Sequence, residues 1–120
     1  MLEIKLSEHE SLSKYKIRGK VEAFTITENN KLLASAIFTL ARKYAHILDI
    51  NILETIVGLN PYDVLIRAIS NYAEGKNINM VCCKNKSLYN HLFSLGFEKK
   101  GFKIVADTQK LLAHQCGSLN

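Results

Sequence analysis

Along the 120 residues the spacing of apolar positions changes period several times, and each change marks an element. Leu2, Ile4 and Leu6 alternate with polar neighbours as in a short strand, and the stretch from there to Lys20 is polar and poorly patterned. Val21 to Thr27 is rich in β-branched and aromatic residues and ends in Glu28-Asn29-Asn30, a turn cluster in which Asn tolerates positive φ. Leu32 to Leu40 returns as a second apolar run, so the two segments predict a β-hairpin. After Ala41-Arg42-Lys43-Tyr44, residues 45–53 form a further strand that alternates only partly, as a strand covered on both faces near its middle does.

The strongest helix signal follows. Asn60 is suited to capping, Pro61 fits the first helical position, and Asp63 stands three residues after the cap in capping-box spacing. Val64, Leu65, Ala68, Ile69 and Tyr72 fall on one helical face, and Gly75 is placed to end the helix in the left-handed region. Residues 78–83 read as a short strand, and Asn85 as the cap of a second helix with Leu88, Leu92 and Leu95 on one face and Gly96 at its end. Phe97 opens an extended piece and Phe102 to Val105 a last strand, while the tail after Asp107 fits strand or helix. The central strand–helix–strand unit requires a parallel pair, so an α/β architecture is expected, with a mixed sheet and helices on its faces.

Composition bounds this picture. Apolar residues are 48% and charged residues 22%, as in ordinary folded domains, and the length suits one domain over residues 1–120. No run of eighteen apolar residues occurs, and Met1 to Glu10 lacks an apolar signal core; a soluble cytoplasmic protein with no membrane partner is the expectation. Three cysteines, Cys82, Cys83 and Cys116, lack the CxxC spacing of zinc sites, so no metal is expected. On a strand Cys82 and Cys83 would point to opposite faces, one at least into a core. The charge of +5 suits an anionic ligand, but the basic residues are spread along the chain and no nucleic-acid arm stands out. His9, His46, His91 and His114 show no metal or triad spacing, and His46 is read as a packed strand residue or one facing a cleft.

The order of elements, with Asn85 followed twelve residues later by Phe97 in the turn Leu95-Gly96-Phe97-Glu98, resembles the C-terminal half of the GNAT (acyl-CoA N-acyltransferase) fold over residues 21–105. The resemblance implies a mixed, mostly antiparallel sheet with acetyl-CoA or CoA in a splay between the fourth and fifth strands. The pantetheine arm would bond to backbone at Ile52, Leu53 and Glu54, and the pyrophosphate would sit on amides at the start of the next helix, where N–H groups are unpaired. Asn85 would bond near the pantetheine or thioester, with Tyr89 beside it, and Glu54 would be the general base that deprotonates an amine acceptor.

Several positions depart from the family pattern. Where the family carries a glycine-rich phosphate loop, this chain has Val57, Gly58, Leu59, Asn60, Pro61 and Tyr62, followed by Asp63. One glycine of the three is kept, Pro61 removes an N–H donor, and Asp63 sets a carboxylate near the phosphate position. The family's thiolate-protonating Tyr is replaced by Leu92, with Tyr89 one helical turn earlier. Only about fifteen residues, Glu8 to Glu22, stand where the family has two helices, so the acceptor site is open or completed by a homodimer partner. Three readings result: N-acetyltransfer from acetyl-CoA to an amine; a non-catalytic GNAT-like module that binds CoA or another protein; and a small RNA-binding α/β domain, which draws only on the charge of +5.

Overall fold

A computed structural model describes residues 2–8 and 20–113; His9, His114, Cys116 and most of the short segment between Glu8 and Glu22 lie outside the described residues. The strands are β1 (Leu2–Glu8), β2 (Val21–Glu28), β3 (Lys31–Ala41), β4 (Tyr44–Ile52), β5 (Met80–Cys83), β6 (Glu98–Lys100) and β7 (Lys103–Asp107). They form one sheet in the order β1-β2-β3-β4-β5-β7-β6. Every neighbouring pair is antiparallel except β4 and β5, which are parallel. Helix α1 (Pro61–Gly75) makes the crossover between those two strands. A 3-10 turn (Lys86–Leu88) leads into α2 (Tyr89–Phe93) after β5, and α3 (Thr108–Ala113) follows β7, so the ambiguous tail is helical as far as it is described.

Local chemistry accounts for most of these boundaries. Asn29 and Asn30 take φ of 53° and 66°, the two left-handed positions of a tight hairpin turn whose twist matches its strands. Asn60 caps α1, its Oδ1 accepting from the Tyr62 amide at 3.0 Å, with Pro61 at the first helical position. At the other end Gly75 is the last helical residue but does not supply the left-handed turn. Asn77 does, at φ 63°, while the Ile78 amide returns to the Ala73 carbonyl at 2.9 Å. In the Leu-Gly-Phe turn Gly96 has φ 109°, a region closed to residues with a Cβ, and the Phe97 amide reaches the Leu92 carbonyl at 3.2 Å.

The main core lies on the α1 side of the sheet. Phe24, Ile26, Phe38, Ala45, Ile47 and Ile50 meet Leu65, Ile66, Ile69 and Ala73. Phe24 and Phe38 stack with centroids 5.6 Å apart, and Tyr72 sets its ring edge-on to both at 5.9 Å. The Tyr72 hydroxyl donates to Oε1 of buried Glu22 at 2.7 Å, so that carboxylate keeps a partner inside the core. Leu88, Leu92 and Leu95 join the same core, but not from one helix: Leu88 ends the 3-10 turn, Leu92 lies in α2, and Leu95 follows it. Cys83 pairs with Ile47 and Ile104 and belongs to this core; Cys82 pairs with His46 and Val105 and points to the opposite face. Among the described residues no helix is long and apolar enough to cross a membrane.

Candidate functional site

The site begins where two parallel strands part. β4 and β5 are paired from Tyr44 with Met80 to Ile47 with Cys83, but β4 continues to Ile52 while β5 stops at Cys83. At the parting β4 carries a bulge. Ile47 lies opposite Phe38 and Asp49 opposite Ile37, which leaves Leu48 as the extra residue.

Beyond the parting, the β4 edge that a parallel neighbour would have paired is held by side chains. Asn85 Nδ2 donates to the Leu48 carbonyl at 3.2 Å, and the Ile50 amide donates to Oδ1 of its own neighbour Asp49 at 2.9 Å. Both groups lie on the stretch of β4 beyond its last pair with β5. Asn85 is anchored to act as a bridge, since its Oδ1 accepts from the Ser87 amide at 3.1 Å and hydroxyl at 2.7 Å.

A cavity of about 270 Å³ opens at this point, lined by Thr39, His46, Leu48, Cys82, Cys83 and Lys84 together with Ala41 and Ile47. His46 and Cys82 are paired across the strands, with Nδ1 and Sγ 3.1 Å apart. Burial holds the imidazole below its ordinary 6.5; the Lys84 and Lys103 cations act in the same direction and the Ala41 carbonyl opposes them. Burial also raises the Cys82 thiol above its ordinary 9.0, against the pull of Lys103 and Lys84. The two groups therefore form a neutral pair near pH 7, imidazole against thiol. Burial pushes Cys83 up to about 11, helped by Cys82 and Asp49 and opposed by its bond to the Asn85 backbone. Lys103 lies over the Tyr44 ring at 4.0 Å, and Tyr44 in turn meets the His46 ring edge-on at 5.7 Å.

The residues expected to hold the pyrophosphate, Val57 to Asp63, form a turn and a capped helix start. Residues 56–59 close a turn on Gly58 at φ 75°, the Leu59 amide donating to the Ile56 carbonyl at 3.2 Å. At the start of α1, Pro61 has no N–H, Asn60 Oδ1 takes the Tyr62 amide, and the Asn60 carbonyl takes the Val64 amide at 3.2 Å. Asp63 is buried in the same turn and Val57 is fully exposed. Tyr62 stacks flat on His91 of α2, with centroids 4.0 Å apart, so the two helices touch where they approach each other.

Of the expected site residues, Asn85 comes to the gap and Ile52 ends the free part of β4. Glu54 goes elsewhere. The Leu53 and Glu54 amides both bond to the Leu33 carbonyl, at 2.8 and 3.2 Å, which turns the chain toward β3. The Glu54 carboxylate there pairs with Lys31, in an open cleft lined by Leu2, Glu28, Leu33, Thr55, Ile56 and Val57. Tyr89 directs its hydroxyl to the Phe102 carbonyl at 3.4 Å and sets its ring against Phe93. Leu92 has no exposed surface. The pairing of His46 with Cys82 and the edge-holding role of Asp49 lie outside the sequence expectations. The signal for them was two polar residues, His46 and Asp49, inside one otherwise mostly apolar strand. Among the described residues no group of three His, Cys, Asp or Glu side chains is placed to hold a metal ion.

The overall fold is shared with proteins of known structure. No sequence-family model matches the chain, and no curated protein matches it by sequence. The ribosomal-protein-S18-alanine N-acetyltransferase from Escherichia coli superposes with a TM-score of 0.69 at 13% identity, over 100% of this chain and 99% of the other. A putative GNAT-family acetyltransferase from Desulfovibrio desulfuricans gives 0.66 at 6% identity, over 88% and 99%. An acetyltransferase from Bacillus subtilis in complex with CoA gives 0.65 at 10% identity, over 89% and 99%. The chain has the GNAT fold: an α+β architecture built on a mixed seven-stranded sheet.

Proposed function

We propose that residues 1–120 act as one unit that holds the acyl-pantetheine arm of acyl-CoA along the free edge of β4 and transfers the acyl group to an amine. The observation that carries this reading is the pair of β4 backbone groups, Leu48 C=O and Ile50 N–H, held by the Asn85 and Asp49 side chains. A pantetheine arm carries amides, and an extended amide chain adds to an open strand edge as a further strand does. Displacing two side-chain partners exchanges hydrogen bonds without leaving a buried group unpaired. Acyl-CoA supplies an activated carbonyl; the chain's own residues position it and manage the acceptor's proton.

His46 fits the base role better than Glu54 does. It lines the cavity at the parting, and its lowered pKa leaves it neutral at pH 7. The base-competent tautomer has Nδ1–H donating to Cys82 Sγ, which leaves the Nε2 lone pair to take the ammonium proton. Glu54 is tied to Lys31 in a separate cleft. Leu92 offers no proton, so the leaving thiolate takes one from water.

Two features support the second reading, a GNAT-fold module that binds CoA or a protein without turnover. The Leu59, Tyr62 and Val64 amides already have partners within the chain, and Leu92 belongs to the core. Titration calorimetry with acetyl-CoA and CoA, followed by an amine screen of the wild type, His46→Gln and Glu54→Gln, separates the readings. Transfer requires measurable binding, a large fall in turnover for His46→Gln, and little change for Glu54→Gln. CoA binding with no product from any amine supports the module. No heat at millimolar ligand removes both CoA readings.

A further inference from the structure

Among the described residues β1 is paired on one edge only, by β2, and forms one border of the sheet. Its side chains divide cleanly. Leu2, Ile4 and Leu6 lie opposite Glu28, Ile26 and Phe24 and share the α1 face, yet they stay 36%, 48% and 39% exposed. Helix α1 packs over β2, β3 and β4, so this apolar row stands beside the helix and not beneath it. Glu3 and Lys5 lie on the other face, Nζ 3.9 Å from Oε2, both more than half exposed. Unpaired edges bearing apolar rows are templates for another strand.

We propose that the strand added here is β1 of a second copy of the chain, antiparallel, with Ile4 opposite Ile4 on the two-fold axis. The sequence of this edge is self-complementary in that register alone. It sets Leu2 opposite the partner's Leu6 and Glu3 opposite the partner's Lys5, twice by symmetry, with apolar pairs on one face and opposite charges on the other. Sliding by two residues keeps the faces matched but puts like charges on the axis, Lys5 against Lys5 in one direction and Glu3 against Glu3 in the other. A slide of one residue sets charges against leucines. The correct register gathers six apolar side chains into one row along the α1 face and joins the two sheets into one. It also sets the partner's Leu6 beside Leu2, at the rim of the cleft of about 400 Å³ that holds Glu54.

The test is sedimentation equilibrium of the full chain without CoA, so its outcome is independent of the acyl-transfer reading. The wild type is expected to dimerise. Lys5→Glu, which places Glu against Glu twice, is expected to weaken the dimer by about tenfold or more. The exchange Glu3→Lys with Lys5→Glu is expected to restore it, and thermal melts of all three proteins establish that each is folded. In a Cys116→Ser background, Ile4→Cys is expected to form a disulfide with itself. Residues on the axis have Cα atoms about 4.5–5.5 Å apart, within disulfide range. Leu6→Cys alone is expected not to cross-link, but to do so when mixed with Leu2→Cys. A wild type that stays monomeric at all concentrations overturns the proposal, as does a dimer indifferent to the charge reversal. Self-linkage at Glu3→Cys or Lys5→Cys in place of Ile4→Cys also overturns it.

Discussion

His46 and Cys82 face each other across the parallel pair β4 and β5, Nδ1 to Sγ at 3.1 Å, one residue before the last pair at which the strands separate. Burial, Lys84 and Lys103 all favour the neutral imidazole. A histidine whose pKa is lowered on folding binds fewer protons folded than unfolded. Its contribution to stability is therefore complete above the ordinary 6.5 and is lost as pH falls from there through the folded value. Chemical denaturation at a series of pH values is expected to show stability falling below about pH 6.5, with a shallower fall in His46→Gln. In the acyl-transfer reading the same lowered pKa keeps activity level across neutral pH, so the acid limb of the rate profile should lie below 6.5. An acid limb centred above that value counts against His46 as the base.

Cys83 titrates at the opposite end. Its thiol is buried against Ile47 and Ile104, and its pKa rises from 9.0 to about 11. Above pH 9 the unfolded chain releases this proton while the folded chain keeps it, so stability should drop between pH 9 and about 11. Cys83→Ala removes this dependence and opens a small void. It is expected to be less stable at pH 7 than the wild type, with a gentler slope above pH 9. Parallel slopes for the two proteins would show that the thiol ionises alike in both states.

What the amino-acid order reveals here is mostly local. Asn29-Asn30, Asn60-Pro61 and Leu95-Gly96-Phe97 each carry their own turn or cap chemistry, and the strands and helices between them follow from period alone. The helix end shows the limit: Asn77 adopts the left-handed turn that Gly75 could have supplied, because the Ile78 amide returns to the Ala73 carbonyl. The site depends on register, which is not local. His46 meets Cys82 through pairing across 36 positions. Asn85 reaches Leu48, the residue at which β4 bulges against β3, one position past its last pair with β5. Glu54 is drawn to Lys31 by two amides that share the Leu33 carbonyl, a bond no spacing announces.

Leu92 holds a core position, and a tyrosine placed there should not add chemistry. The side chain has no exposed surface and packs in the cluster with Leu88, Leu95 and Phe97. Leu92→Ala is expected to cost about 2–5 kcal/mol through lost contact and a cavity. Leu92→Tyr adds volume and a hydroxyl to a filled space and should cost about 1–3 kcal/mol with no gain in turnover. Denaturant titration checks the stabilities and initial rates check the chemistry. A folded Leu92→Tyr protein with faster transfer would show that this position reaches the reacting groups after all.

Asn60 divides the helix-cap role from the ligand role. Its Oδ1 holds the Tyr62 amide at 3.0 Å, one of the few donors left at a helix start where Pro61 has none. A pyrophosphate seated on this turn must displace that side chain. Asn60→Ala removes the cap at a cost of about 1 kcal/mol to the fold and leaves the amide open. Its affinity for CoA is therefore expected to hold or rise, while that for pantetheine, which has no pyrophosphate, stays unchanged. Calorimetry with both ligands, on protein whose folding is established by its melt, decides the matter. A fall for CoA alone would mean that the Asn60 side chain itself contacts the phosphates, and a fall for both would mean that the loop supports the β4 edge. No heat from either ligand would place the function away from CoA.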